Sequence, residues 1–199
     1  MKSTEPIRDR EQVAQLLMYY SNKGQARNHL LITLCLHTAL RVSDVLNLKI
    51  GDVYDFEKRC IRSSITITEK KTGKTKTIAL HENITNALSA YFSSEMPNIA
   101  YMSGKPNTPL ILNKRTNKAL SRTQTYRLIR NAAEEIGLPQ RVSCHSLRKT
   151  FGYHAWKSGI SPVVIMEIFN HSSLKITQRY LGIQQDDINA VYLDLHFVG

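Results

Sequence analysis

Acidic residues are scarce in this sequence, cysteine is rare, and long apolar runs are missing. The longest apolar run, residues 29–40, is only about a dozen residues, the usual length of a buried helix and too short to cross a bilayer. The N-terminus, Met-Lys-Ser-Thr-Glu-Pro, has no apolar core of the kind a secretory signal needs. Cys35, Cys60 and Cys144 are an odd, widely spaced set without a Cys-x-x-Cys pair. That spacing argues against disulfides and against a zinc site, and makes an intracellular, cytoplasmic protein the expectation. The 16 acidic residues are scattered. No acid-rich cluster suggests itself as a magnesium site, so metal-ion catalysis is the poorer reading of any chemistry here. Repeats, low-complexity tracts and a long linker are missing too.

What the chain has is positive charge, in two blocks. Its 27 basic residues give a net charge of +11. Seven basic residues and a single acid, Glu69, lie between Lys58 and Lys76; seven more, with no acid, lie between Lys105 and Arg130. Clustered cations point to a polyanion partner, nucleic acid before membrane, because no basic helix carries a lipid-type apolar face. The cations placed at double-stranded DNA are Lys70, Lys74, Lys76, Lys114, Arg115, Lys118, Arg122 and Arg127. A hydrophobic content of 42% over 199 residues suits one folded domain.

Periodicity predicts a mainly α fold with one small antiparallel β-sheet. Helices are expected over about 9–22, with Val13, Leu16, Leu17 and Tyr20 on one face, and over about 26–39. A short helix capped by Ser43 and ended by Gly51 follows. The alternating segment 60–68, the turn Lys71-Thr-Gly-Lys74 and the returning strand 76–80 read as a hairpin with a basic tip. Next come a helix over about 82–95, a loop over 97–109 and a short strand over 110–112. Ser121, Ser143, Ser161-Pro162 and Ser173 each open a helix. A final amphipathic segment, about 186–195, carries Ile188, Val191, Tyr192 and Leu195 on one face, to dock on a partner or to pack on its own domain.

Four stretches hold side chains capable of chemistry. Arg41, in Ala-Leu-Arg-Val-Ser-Asp, sits between two helices, and Asp44 three residues on is its expected partner; an ordinary structural ion pair fits the same residues. His145 and Arg148 share a face at a helix start, where an imidazole stays neutral and a guanidinium can grip phosphate by two bonds. His171 falls in a turn, with Tyr180 nine residues later on a capped helix. Lys71 is at the hairpin tip. Taken singly these are a capping histidine, a core tyrosine among nine and a solvated turn lysine.

Together, the order Arg41, Lys71, His145-x-x-Arg148, His171, Tyr180 resembles the tyrosine recombinase (phage integrase) family, over its whole catalytic domain. The family commonly has Gly-Leu-Arg where this chain has Ala39-Leu40-Arg41, and Leu-Gly-His where it has Phe169-Asn170-His171. The resemblance implies one catalytic domain over 1–199, with a core over 8–182 and a helical tail over 183–199. It implies a chain of bacterial or phage origin that lacks the upstream DNA-clamping domain, either a fragment or a short member like the fimbrial-switch recombinases. It implies a site-specific recombinase: Tyr180 forms a 3′-phosphotyrosyl link, Arg41, Arg148 and His171 hold the phosphate, His145 takes the phenol proton and Lys71 protonates the 5′-oxygen. No metal or cofactor is expected, and four protomers would assemble on DNA. A non-catalytic DNA-binding regulator and a relaxing, type IB-like topoisomerase remain open alternatives.

Overall fold

The computed structural model describes residues 4–139, 141–183 and 185–194. Asp9 enters the first helix, α1 (Arg10–Asn22), in extended conformation, and its carboxylate accepts from the Glu11 amide. Leu16 and Tyr20 on α1 are buried, and Val13 and Leu17 pack beside them. Helix α2 (Ala26–His37) is apolar almost all round and lies at the centre, against α1 and three later helices. Ala39 then takes a left-handed conformation, φ 55°, that turns the chain out of α2.

The short helix α3 (Val42–Asn47) begins two residues earlier than the sequence suggested. Arg41 is its cap residue, and Ser43 lies inside it. Gly51 does not end it: Gly51 belongs to a separate turn of helix, α4 (Ile50–Val53). A Cβ at Gly51 would approach Pro106 Cβ to 2.9 Å, so glycine answers to crowding here.

Among the described residues, three two-stranded antiparallel sheets stand where a single sheet was expected. β1 (Tyr54–Asp55) pairs with β2 (Cys60–Ile61), and β3 (Ser64–Thr68) with β4 (Thr75–Ala79). The segment read as one strand over 60–68 therefore divides. Arg62 marks the division: its guanidinium binds Asp55 and the Gly51 carbonyl, and its amide binds Val53. Helix α5 (Glu82–Glu95) covers α2, and the expected loop over 97–109 includes a 3₁₀ segment, Ile99–Gly104. β5 (Leu112–Asn113) has a partner the sequence did not show, β6 (Lys118–Ala119).

The helix starts at Ser121, Ser143, Ser161 and Ser173 fall where expected. α6 (Arg122–Glu135) and α7 (Cys144–Lys157) start with capping boxes at Ser121 and Ser143. α8 (Pro162–Phe169) starts at a Ser161 cap with proline in the first turn, and α9 (Leu174–Leu181) follows Ser173. α10 (Gln185–Asp194) is tied back by Lys157 and Asp187 at 2.6 Å, yet Ile188, Val191, Tyr192 and Leu193 stay exposed. Leu195, expected on that face, lies outside the described residues.

Two apolar clusters result. The larger surrounds α2; the smaller joins Ala39, Ile165, Phe169 and Leu181, with Tyr180 at its margin. Gly152 of α7 lets the smaller cluster close, because a Cβ there would lie 2.7 Å from Phe169 Cζ and 3.1 Å from Leu181. Gly152→Ala is therefore expected to destabilise the protein by about 1–3 kcal/mol through overpacking, although alanine is the better helix former. Denaturant unfolding checks this; a variant as stable as the parent would contradict the contact.

Candidate active site

Ser143 fixes the start of α7 by accepting from the amides of His145 and Ser146. One turn of helix then carries His145 and Arg148 to the same side. Arg148 is 3% exposed and lies 4.7 Å above the Phe169 ring. Its Nη1 donates to the Ala39 carbonyl at 2.5 Å and its Nη2 to the Phe169 carbonyl at 2.7 Å. Among the described residues no carboxylate comes within ion-pair distance of it.

Both carbonyls sit at left-handed turns. Ala39 supplies its own, and Phe169 precedes Asn170, the α8 cap at φ 57°. These are the two positions where glycine is the commoner residue in the motifs this sequence resembles. Asparagine tolerates the conformation; alanine does so at a cost of about 1–2 kcal/mol. Both departures are thus compatible with a left-handed turn, and Asn170 adds a side-chain amide there.

Tyr180, near the end of α9, brings its hydroxyl to 3.0 Å from His145 Nδ1, with the two rings edge to face. Its ring also touches His171 and Phe169, with centroids 4.9 and 5.0 Å away, and Lys149 Nζ lies 5.5 Å from its centre. His171 follows the Asn170 turn, and its Nδ1 is 3.0 Å from the buried Thr177 hydroxyl.

Burial and like charge set the protonation states. Partial burial, then the positive charges of Lys149, Arg148, Arg41 and Lys71, lower the His145 pKa. Burial, then Arg148 and Arg41, take His171 from the ordinary 6.5 down to about 4. Burial raises the Tyr180 phenol, and Arg148 and Arg41 offset part of that rise. Near neutral pH both imidazoles are thus uncharged and the phenol holds its proton.

Arg41 has a different acid from the one the sequence suggested. Its Nη1 pairs at 2.8 Å with Glu69, 28 residues away. Asp44 instead accepts from the Lys70 amide at 3.1 Å. The reason is local: Arg41 caps α3 in extended conformation, so the three-residue spacing of a helix face does not reach Asp44.

The family model described as "Phage integrase family" matches residues 8–186. A probable integrase/recombinase of Bacillus subtilis, YoeC, is 35% identical over 192 residues, covering 96% of this chain and 97% of that protein. Tyrosine recombinase XerD of Mycobacterium tuberculosis is 28% identical, over 85% of this chain and 52% of its own length. This chain belongs to the phage integrase family. It spans about half the length of the XerD and XerA recombinases it matches, 52 and 55%. The fold agrees: the crystal structure of XerA recombinase superposes with a TM-score of 0.74 at 22% identity, covering 96% of this chain and 66% of that one. XerH recombinase, bound to a palindromic difH substrate in a post-cleavage complex, gives 0.72 at 22% identity, over 98 and 54% of the two chains.

Within this phage integrase domain, Tyr180 touches both His145 and His171, and the charge of Arg148 acts on all three. Arg41 stands close enough for its charge to act on both histidines and on the phenol. Lys71 is apart, exposed in the β3–β4 turn between exposed Lys70 and Lys74. Lys76 does not face outward as the basic pattern suggested. Its ammonium turns in, 3.0 Å from Glu69 and 3.0 Å from the Ile168 carbonyl. Lys114 pairs with Glu95 at 3.2 Å. Arg115 and Arg127 border one shallow depression with Arg27, while Lys118 is exposed on β6. Arg122 lines a groove that runs past Tyr126 to His145.

The depressed histidine has a consequence for stability. Above pH 6.5 His171 is neutral whether folded or not, and below about 4 it is charged in both states. Between those values only the unfolded chain takes the proton, so stability is lost as pH falls from 6.5 towards 4. His145 acts in the same direction. The thermal midpoint of His171→Gln is expected to fall less steeply across that window than that of the parent. Equal slopes would show that the imidazole is not held neutral.

Proposed function

We propose that this chain is a site-specific DNA recombinase, a single catalytic domain that cuts and rejoins DNA through Tyr180. The observation that carries the reading is the 3.0 Å contact between the Tyr180 hydroxyl and a neutral His145, beside a buried arginine without a carboxylate. A buried cation whose partners among the described residues include carbonyl dipoles and a ring but no paired carboxylate suits an anion, and a nucleophile stands next to it.

The scissile phosphate would take Arg148 and Arg41 on its non-bridging oxygens, where charge gathers in the transition state. His171 adds a hydrogen bond there. Tyr180 Oη attacks phosphorus and passes its proton to His145 Nδ1, which requires the ring proton to be on Nε2. The bond from phosphorus to the 5′-oxygen breaks, and Lys71 gives that oxygen a proton. The products are a 3′-phosphotyrosyl link and a free 5′-hydroxyl. Attack by a 5′-hydroxyl from a second duplex reverses the chemistry and restores Tyr180, so the cycle consumes no nucleotide cofactor. Exchange between two duplexes uses four such sites, hence four copies on DNA. The exposed apolar side chains of α10 are the surface through which neighbouring copies would meet.

Two substitutions test the assignment. Tyr180→Phe is expected to bind DNA nearly as the parent does and to yield no covalent protein–DNA adduct on a nicked suicide substrate. An adduct trapped with Tyr180→Phe would remove Tyr180 from its role. Lys71→Ala is expected to slow cleavage by about 10²–10⁴-fold, the range for a lost general acid. A substrate with a better 5′ leaving group should recover most of that loss, and an equal loss on both substrates would assign the acid elsewhere.

A further inference from the structure

Glu69 is the one acid inside the first basic block, and it is fully buried. Its Oε2 accepts from Arg41 Nη1 at 2.8 Å, Thr72 Oγ1 at 2.9 Å and Asn170 Nδ2 at 3.2 Å. Its Oε1 pairs with Lys76 Nζ at 3.0 Å. Its backbone closes the turn as well: the Glu69 amide binds the Lys74 carbonyl at 3.0 Å, and the Gly73 amide binds the Glu69 carbonyl at 2.8 Å. One residue thus holds the Arg41 fork, both ends of the loop that carries Lys71, and the turn that precedes His171.

We infer that Glu69 is a positioning residue for strand cleavage: it fixes the Arg41 guanidinium towards the phosphate and ties the Lys71 loop to the His171 turn, with Asn170 as its second tether. This inference rests on the recombinase reading above. It follows from the geometry of a guanidinium, whose planar fork can spend one N–H on Glu69 and keep the others for phosphate. Burial alone would raise the Glu69 carboxyl; the bonds from Lys76, Arg41 and Thr72 outweigh it and bring the group to about 2, so it stays an anion at any working pH. Asn170 belongs to the arrangement because its left-handed backbone aims an amide, which glycine lacks, at that carboxylate.

The test is a double-mutant cycle on the rate of adduct formation with the full chain, read beside DNA affinity and thermal midpoint. Glu69→Gln is expected to lower the cleavage rate by about tenfold or more with little change in DNA binding, and to add less than about threefold in an Arg41→Ala background, since coupled residues are not additive. The same full loss in both backgrounds, or cleavage at the parental rate, would overturn the inference. Should Glu69→Gln not fold, Asn170→Gly still decides, because glycine accepts the left-handed turn and loses only the amide. It is expected to stay folded, with a modestly lower midpoint, and to cleave at least about tenfold more slowly, the weight of one hydrogen bond to a charged group. Parental cleavage by Asn170→Gly would count against the tether. Failure of the unmodified chain to form any adduct would sink the recombinase reading and this inference with it, whereas parental adduct alongside unaffected variants would sink the inference alone.

Discussion

The Arg148 guanidinium is taken out of water and given carbonyl dipoles instead of a counter-ion. Burying a charge this way is costly, and the dipoles of Ala39 and Phe169 offset the cost only in part. Much of the surrounding structure exists to hold that arrangement. Two left-handed residues bend the chain so that the carbonyls meet the fork, and the Phe169 ring forms its floor. Gly152 leaves room for that ring, and the ring in turn supports Tyr180 and His171. In the proposed reaction, binding a phosphate here and relieving a buried charge would be one event.

The same positive field governs the proton chemistry. It keeps both imidazoles neutral, which a proton acceptor needs, and it works against the burial that raises the phenol. Tyr180 and His145 are in contact, and His171 is held beside them by Thr177. Lys71 alone is on an exposed turn. In the proposed reaction the attacking half of the site is thus built in advance, and the leaving-group half lies on that turn.

Much of this was legible in the sequence, and the gaps have physical causes. Serine caps at 121, 143 and 161 marked helix starts because the capping bond is local. The candidate residues were recognisable by order and spacing, but the acid beside Arg41 was misplaced, since Asp44 is near in sequence and Glu69 near only in space. A signal for Glu69 was present. The inward row Ile65 and Ile67, continued by two, arrives at Glu69; on the opposite strand Leu80 and Ile78, continued by two, arrive at Lys76. Counting charges treated Lys76 as one more surface cation, whereas strand alternation puts it inside. The division of segment 60–68 into two strands depends on Arg62 meeting Gly51 and Asp55, contacts that composition does not reveal.

The Glu69–Lys76 pair also decides which residue stands at the hairpin tip. β3 and β4 are joined with Ile67 opposite Lys76 and Thr68 opposite Thr75. Sliding one strand by a single residue would turn Lys76 to solvent and strand a buried carboxylate. Threonine rows on the outer face, Thr66 with Thr77 and Thr68 with Thr75, would tolerate such a slide far better than the inner pair. The ion pair thus works as a frame marker. Two adjacent lysines occupy this turn; Lys70 has its amide tied to Asp44, and Lys71 is the next residue out. Which of them stands at the tip is settled by where the strands are pinned.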